Sequence, residues 1–203
     1  MPAGEVPPEM AAAEDVAAEP VPSEPVPSEP VPPEPVPPEP VRRLILLRHA
    51  KSDWPDVPDR ERPLAKRGRR EAPPAGRWLR DHGYQPDVVV CSVARRTRQT
   101  WELIAPELGG SPTVTFDQRA YDAGARTLLY LARELPAWCR TALFVGHNPA
   151  VTDLANALAE TPEGPPHLHF PTAAFAVLEF TGDWADLAPG HARLAAFTAP
   201  AGH

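Results

Sequence analysis

Apolar residues from position 41 onward fall into short continuous runs separated by longer amphipathic stretches. Three runs are typical of strands buried on both faces: Leu44–Leu47, Val88–Cys91 and Ala142–Val145. Weaker strand patterns lie at 113–116, 174–180 and 194–197, and helical patterns lie at 65–82, 94–108, 125–135 and 150–160. This alternation predicts an α/β fold, a three-layer sandwich whose largely parallel central sheet carries helices on both faces.

Glycines and prolines sharpen the predicted helix boundaries. Gly83 and Gly109 follow two of the helical patterns, where a C-terminal cap in the left-handed region favours glycine. Pro73 and Pro74 lie inside the first helical pattern and lack the backbone N–H that a helix interior uses. We therefore expect that helix to start late, kink or split.

The first forty residues have a different composition from the rest of the chain. They hold fourteen of the 30 prolines, nine of the 27 acidic residues and none of the 20 basic ones. From Glu19 they repeat the pentads Glu-Pro-Val-Pro-Ser and Glu-Pro-Val-Pro-Pro, a pattern that favours polyproline II and forbids a helix or a sheet ladder. We predict two regions, a disordered acidic proline-rich tail at 1–40 and one folded domain at 41–203. The tail either docks an unknown partner, acts as a spacer, or is a dispensable extension.

Charge and composition exclude several classes of protein. The whole chain has a net charge of −7, but residues 41–203 contain eighteen acidic and twenty basic residues, a net charge of only +2. Such a domain lacks the strong basic excess of a nucleic-acid-binding protein. Its apolar runs are too short to span a membrane, and two cysteines are too few for a disulfide framework. We expect a cytoplasmic protein with neither a nucleic-acid partner nor a membrane association.

Residues that could form an active site follow the three strongest strand patterns. The first strand leads into Arg48 and His49, the second into the segment 92–100, and the third into His147. Ligands of such sheets bind outside the carboxyl ends of the strands, so we expect these side chains to share one edge. A single histidine after a strand is commonly a surface residue, and the joint occurrence at three strand ends favours a site.

Three arginines lie near the start of the second predicted helix, at Arg95, Arg96 and Arg98. Cations are disfavoured at the positive end of the helix dipole, and a bound anion would relieve that repulsion. A solvated basic face is the alternative. Paired histidines and arginines without clustered carboxylates make a poor metal site and a good phosphoryl site.

The segment Leu47–Ser52, Leu-Arg-His-Ala-Lys-Ser, resembles the Arg-His-Gly/Ala motif of the histidine phosphatase superfamily. Its Ala-Lys-Ser ending is similar to the SixA-type phosphohistidine phosphatases. Further stretches support the resemblance, in the family's order: Arg62-Pro63-Leu64 with Gly68, Ser92 through Trp101, and Gly146-His147-Asn148-Pro149. The resemblance covers about residues 42–180 and implies a fold like that of phosphoglycerate mutase.

The resemblance also implies roles for individual residues. His49 matches the family's nucleophile, Arg48 and Arg96 match its phosphate-binding arginines, and His147 matches its second histidine. Ser52 stands where the family often has a small polar phosphate ligand, and Arg62 and Lys51 are expected at the mouth of the site as substrate-binding residues. We expect His49 to be neutral and His147 to be protonated.

A general acid is harder to assign. Many ester-cleaving members supply a carboxylate after the third strand, where this chain places Gln118 between Asp117 and Asp122. Either aspartate is a candidate general acid. SixA-type members also lack a clear acid at this place, so the departure fits that subtype.

The leading functional hypothesis is a phosphatase that acts through a phosphohistidine intermediate, with phosphohistidine on a protein as substrate. The cationic side chains would balance the negative charge of the phosphoryl group during its transfer, in place of a metal ion. We therefore expect no metal or other cofactor. A phosphoesterase acting on a small phosphorylated metabolite or nucleotide is the first alternative. A binding module that has kept a phosphate pocket is the second.

Overall fold

The computed structural model describes residues 39–160 and 167–200. The strands are β1 (Val41–Arg48), β2 (Val88–Ser92), β3 (Thr113–Asp117), β4 (Thr141–Gly146), β5 (Ala159–Glu160), β6 (Phe175–Thr181) and β7 (Ala192–Thr198). The α-helices are α1 (Lys66–Asp81), α2 (Arg95–Leu108), α3 (Ala125–Arg133) and α4 (Ala150–Leu158), and three short 3-10 helices lie at Asp59–Glu61, Gln118–Ala120 and Trp184–Asp186. Each of the six predicted strands and four predicted helices is present within a few residues of its predicted bounds.

The described strands form one seven-stranded sheet in the order β3-β2-β4-β1-β6-β7-β5. The pairs β1–β4, β2–β4, β2–β3 and β5–β7 are parallel, while β6 is antiparallel to both β1 and β7. Leu47 of β1 pairs with Val145 of β4, which in turn pairs with Cys91 of β2. The carboxyl ends of these three strands therefore lie side by side, as the predicted site requires.

The sheet separates two apolar cores. On β1, Leu44 and Leu46 belong to the core beneath α3 and α4, while Ile45 and Leu47 belong to the core beneath α1 and α2. Because successive strand residues point to opposite faces, a strand covered on both sides has to be apolar throughout. The predicted three-layer sandwich is confirmed.

Two details of the predicted secondary structure are wrong. α1 starts at Lys66 and continues through Pro73 and Pro74 without splitting. Those prolines leave the carbonyls of Arg69 and Arg70 without their helical donors, and both of these arginines are exposed, so water can replace the lost hydrogen bonds. The fourth helix ends at Leu158, because Ala159 is extended and pairs with Ala192.

Two further predictions concern the glycines that follow helices and the N-terminal tail. Gly83 and Gly109 follow α1 and α2 with positive φ of 73° and 70°, a backbone conformation that favours glycine, although Gly109, with ψ of −178°, does not form the predicted left-handed cap. The tail and its boundary at residue 40 fall almost wholly outside the described residues and stay predictions. None of the described helices is long and apolar enough to cross a membrane.

Candidate active site

A polar pocket of about 200 Å³ opens at the carboxyl ends of β1 and β4. Ten residues line it: Arg48, His49, Lys51, Ser52, Trp54, Arg62, Arg96, His147, Asn148 and Thr172. All seven residues predicted to be catalytic or substrate-binding are in this set. The lining contains four cationic side chains and no carboxylate. A pocket of this composition is suited to a compact anion.

The backbone holds His49 from three directions. Its N–H donates to the carbonyl of Gly146 at 3.0 Å, and its own carbonyl accepts from Ala173 at 3.1 Å. The next residue, Ala50, donates its N–H to Oγ1 of Thr100 at 3.1 Å. His49 is therefore tied to β4, to the segment before β6 and to α2, and its ring has little freedom to move.

The ring of His49 has a defined tautomer. Nδ1 lies 2.8 Å from the carbonyl oxygen of Ala50, which can only accept a hydrogen bond, so Nδ1 carries the proton. Burial lowers the pKa of His49 to about 4, and the charges of Arg96, Arg48 and Arg62 act in the same direction. At neutral pH the ring is uncharged, and Nε2 has a free lone pair. The predicted neutral His49 agrees with this pKa.

His147 faces the same pocket from the end of β4. Its ring centroid lies 5.2 Å from that of His49. Nε2 is 2.8 Å from Oγ of Ser92, while Nδ1 is buried and has no hydrogen-bond partner among the described residues. Ser92 Oγ already accepts from the Ala94 N–H at 3.4 Å, so its hydroxyl proton is available to Nε2. That arrangement leaves the proton of His147 on Nδ1, ready to donate to an anion.

The predicted positive charge of His147 is wrong for the pocket without a ligand. Burial, followed by charge repulsion from His49 and Arg96, lowers the pKa of His147 to about 3. The sequence showed these neighbours but not how deeply the ring is buried. A neutral ring still supplies one donor at Nδ1, so His147 can bind a phosphoryl oxygen without being an imidazolium.

Arg48 and Arg96 enter the pocket from different elements. Nη1 of Arg48 donates to the carbonyl of Phe170 at 2.7 Å, and its buried Nε has no partner among the described residues. Arg96 is buried in the first turn of α2, while its neighbours Arg95 and Arg98 are exposed. The buried member of the trio is thus the one that the resemblance matches to a phosphate-binding arginine.

The mouth of the pocket is organised by Arg62. Its guanidinium donates to Ser52 Oγ at 2.8 Å, to the Asp53 carbonyl at 3.0 Å and to an Asp59 carboxylate oxygen at 2.9 Å. It also lies 3.1 Å from the ring centroid of Trp54. With its donors occupied in this way, Arg62 holds the segment between β1 and α1 in place. Lys51 is exposed at the rim.

The two predicted general acids do not line the pocket. The Asp117 carboxylate accepts from the backbone and guanidinium of Arg119, and those hydrogen bonds lower its pKa. Asp122 is exposed on the surface. Among the described residues, Asp59 is the carboxylate that contacts the pocket arginines Arg62 and Arg96. Its place three residues before Arg62 is the one feature of the sequence that marks it.

The described side chains contain no group of three or more potential metal ligands. His167 and His169, which alternate in sequence before Phe170, are both exposed and do not line the pocket. The described site therefore offers guanidinium groups and ring N–H groups to an anion.

Comparisons with known proteins agree with the geometry. Residues 44–125 match the model of the histidine phosphatase superfamily, branch 1. An uncharacterised protein of Mycobacterium tuberculosis is 38% identical over 161 residues, which cover 76% of this chain and 99% of that protein. A protein of Nakamurella multipartitia described as a phosphohistidine phosphatase SixA is 37% identical, with a TM-score of 0.73 over 81% of this chain and 99% of that one.

A more distant likeness shows the fold alone. A mycobacterial glucosyl-3-phosphoglycerate phosphatase is 20% identical, with a TM-score of 0.50 over 76% of this chain and 97% of that one. The match to the superfamily model and the extended likeness to a SixA protein carry the conclusion. The chain belongs to the histidine phosphatase superfamily, is SixA-like within it, and is a histidine-type phosphatase.

Proposed function

We propose that this phosphatase removes the phosphoryl group from phosphohistidine on a protein, through a phosphoryl intermediate on His49. The observation that carries the proposal is the pairing of a buried, neutral His49 with unpartnered donors in the same pocket. Nε2 of His49 is free to attack, and Arg48 Nε and His147 Nδ1 are buried without partners among the described residues.

The first step is an in-line attack of His49 Nε2 on phosphorus. The bond from Nε2 to phosphorus forms as the bond to the leaving group breaks, and the leaving group takes the electron pair. The N–H at Nδ1 keeps its hydrogen bond to Ala50, which holds the ring in the tautomer that can attack. Arg48, Arg96 and His147 donate to the equatorial oxygens, where charge accumulates in the transition state.

The second step returns the enzyme to its starting state. Water attacks the phosphorus of the His49 adduct on the side opposite Nε2, phosphate is released, and the electron pair of the broken bond returns to Nε2. The same donors stabilise this second transition state, since the phosphoryl oxygens keep their places. A covalent intermediate thus divides one difficult displacement into two easier ones.

The choice of phosphohistidine rests on the lining of the pocket. An alkyl phosphate expels a basic alkoxide, which needs a general acid that contributes about 10²–10⁴-fold. No carboxylate lines the described pocket. Phosphohistidine leaves as an imidazole that already carries its proton, so it does not need such an acid. The likeness to a protein assigned as a phosphohistidine phosphatase supports the same substrate class.

Hydrolysis of a small phosphorylated metabolite is the second candidate. It is favoured by the small volume of the pocket, about 200 Å³, and by the shared fold with a glucosyl-3-phosphoglycerate phosphatase. The test is to measure kcat/KM for a phosphohistidine peptide and for a panel of alkyl phosphates under one set of conditions. We expect the peptide to be preferred by a large factor. A preference for an alkyl phosphate would select the metabolite phosphatase instead.

A further inference from the structure

Asp59 contacts the cations of the pocket although it lies outside the pocket lining. Its carboxylate accepts from Arg62 Nη1 at 2.9 Å, from Arg96 Nη2 at 3.0 Å and from the hydroxyl of Tyr121 at 2.7 Å. Its backbone carbonyl accepts from Arg96 Nη1 at 2.7 Å. Four hydrogen bonds thus fix the position of one negative charge beside the phosphoryl site.

The carboxylate lies between the buried cations and solvent. Its side chain is 51% exposed, whereas those of Arg62 and Arg96 are 8% and 9% exposed. In an in-line displacement the leaving group departs on the side opposite the attacking Nε2. A pocket of about 200 Å³ cannot hold the rest of a protein substrate, so its leaving group has to extend out of the pocket to the surface.

Tyr121 contacts both Asp59 and His147. Its ring packs edge-on against His147, with 5.8 Å between the centroids, and its hydroxyl donates to Asp59. The hydrogen bond from Tyr121, followed by those from Arg62 and Arg96, lowers the pKa of Asp59 to about 2. At neutral pH the group is ionised, so it has no proton to give to an alkoxide and can accept one more hydrogen bond.

We propose that Asp59 is a specificity-determining residue that selects leaving groups bearing an N–H, such as the protonated imidazole of phosphohistidine, and disfavours anionic leaving groups. This inference rests on the proposed function, because it assigns the substrate preference of that same pocket. The carboxylate binds the N–H of the substrate ring nitrogen that does not carry phosphorus. A charge-assisted hydrogen bond there keeps the substrate ring protonated.

The chemistry balances without a proton from the enzyme. As the phosphorus–nitrogen bond of the substrate breaks, its electron pair moves to the released ring nitrogen. The proton stays on the other ring nitrogen, beside Asp59, and the imidazolium becomes a neutral imidazole. Phosphorus is transferred to Nε2 of His49. A departing phenolate or alkoxide, in contrast, would place a second negative charge near the carboxylate.

The test compares the full-length wild type with Asp59→Asn, which keeps an oxygen acceptor and loses the charge. Two substrates are used across neutral and alkaline pH, a phosphohistidine peptide and p-nitrophenyl phosphate. For the variant we expect kcat/KM to fall on the peptide and to rise on the aryl phosphate, so that their ratio falls about tenfold. The alkaline limb of the kcat profile on the peptide should move to lower pH, because kcat reports the enzyme–substrate complex, in which the bound imidazolium loses its counter-charge.

Two further variants separate charge from structure. Asp56→Asn removes an exposed carboxylate from the same segment and should leave both substrates unaffected. Tyr121→Phe removes one hydrogen bond to Asp59 but keeps its charge, so the preference for the peptide should persist.

The results that would contradict the inference differ from the result that would contradict the proposed function. Equal losses on both substrates for Asp59→Asn, with an unchanged pH profile, would overturn the inference and reduce Asp59 to a support for Arg62 and Arg96. A loss on p-nitrophenyl phosphate with the peptide unaffected would show that the carboxylate assists oxygen leaving groups and would also overturn it. A wild type that cannot cleave the phosphohistidine peptide would defeat the proposed function itself.

Discussion

The hydroxyl oxygen of Ser92 lies 2.8 Å from Nε2 of His147 and connects the end of β2 to the residue that follows β4. This contact decides which nitrogen of His147 faces the pocket as a donor. When the serine hydroxyl donates to Nε2, Nδ1 carries the proton and can bind a phosphoryl oxygen. Ser92 is thus a positioning residue that acts through His147.

We predict that Ser92→Ala lowers kcat/KM about tenfold, the effect of losing one orienting hydrogen bond in the pocket. The thermal midpoint should change little, because alanine fills most of the buried space. A double-mutant cycle tests the route of the effect, since Ser92→Ala should cost nothing further in a His147→Ala background. An additive loss in the double variant would show that Ser92 acts independently of His147.

The buried histidines predict how stability depends on pH. Folding lowers the pKa of His49 from 6.5 to about 4, so the unfolded chain binds the proton more readily than the folded one. Stability is therefore complete above the unfolded pKa and is lost as pH falls from 6.5 toward 4, by up to about 3 kcal/mol for this group. His147 adds a loss of the same sign that extends to about pH 3.

The measurement is the free energy of unfolding by denaturant between neutral and acid pH. His49→Gln cannot take up the proton, so the variant should lose less stability than the wild type over this window. Titrating groups that do not interact with His49 cancel in the comparison. Parallel pH curves for the two proteins would show that His49 is not held neutral by the fold.

Gly68 lets α1 approach the active-site segment. A Cβ at this position would lie 2.1 Å from the carbonyl oxygen of Lys51, which is backbone and cannot rotate away. We predict that Gly68→Ala destabilises the protein by about 2 kcal/mol or more, measured by denaturant unfolding. Gly124→Ala is the matched control, with open space around its Cβ, and should stay within about 1 kcal/mol. Equal effects of the two substitutions would contradict the close approach.

Asp117 and Asp122 should not be needed for turnover. Asp117 is held by Arg119, and Asp122 is exposed, so neither can protonate a leaving group in the pocket. We expect Asp117→Asn and Asp122→Asn to cost less than about tenfold in kcat/KM on a phosphohistidine peptide and on an aryl phosphate. Removing a general acid would cost about 10²–10⁴-fold. A loss of that size on alkyl phosphates would identify a working acid and favour a metabolite substrate.

Much of the fold follows from local patterns in the sequence. The run Leu44–Leu47 predicts a strand because a strand covered on both faces needs apolar side chains at every position. The two-residue strand β5 has no such pattern, since its existence depends on pairing with β7 across about thirty residues. Pro73 and Pro74 misled the prediction of α1 because sequence alone does not show that water reaches the unpaired carbonyls.

The residues of the candidate site also differ in how far the sequence predicts them. Arg48, His49 and His147 follow strand ends, so the topology alone brings them together. Asp59 contacts Arg96 across 37 positions, within a segment that has no helical or strand periodicity. The charge of His147 also could not be predicted, since its pKa depends first on burial, which appears only when the chain is folded.

The central claim is that His49 carries the phosphoryl group during turnover. The most direct measurement is mass spectrometry of the protein quenched after brief exposure to phosphoramidate. We predict one acid-labile phosphoryl adduct on the peptide that contains His49, absent from His49→Ala, which should also lose turnover. A phosphoryl group on Ser92 or Cys91, or a His49→Ala protein that still turns over, would contradict the account.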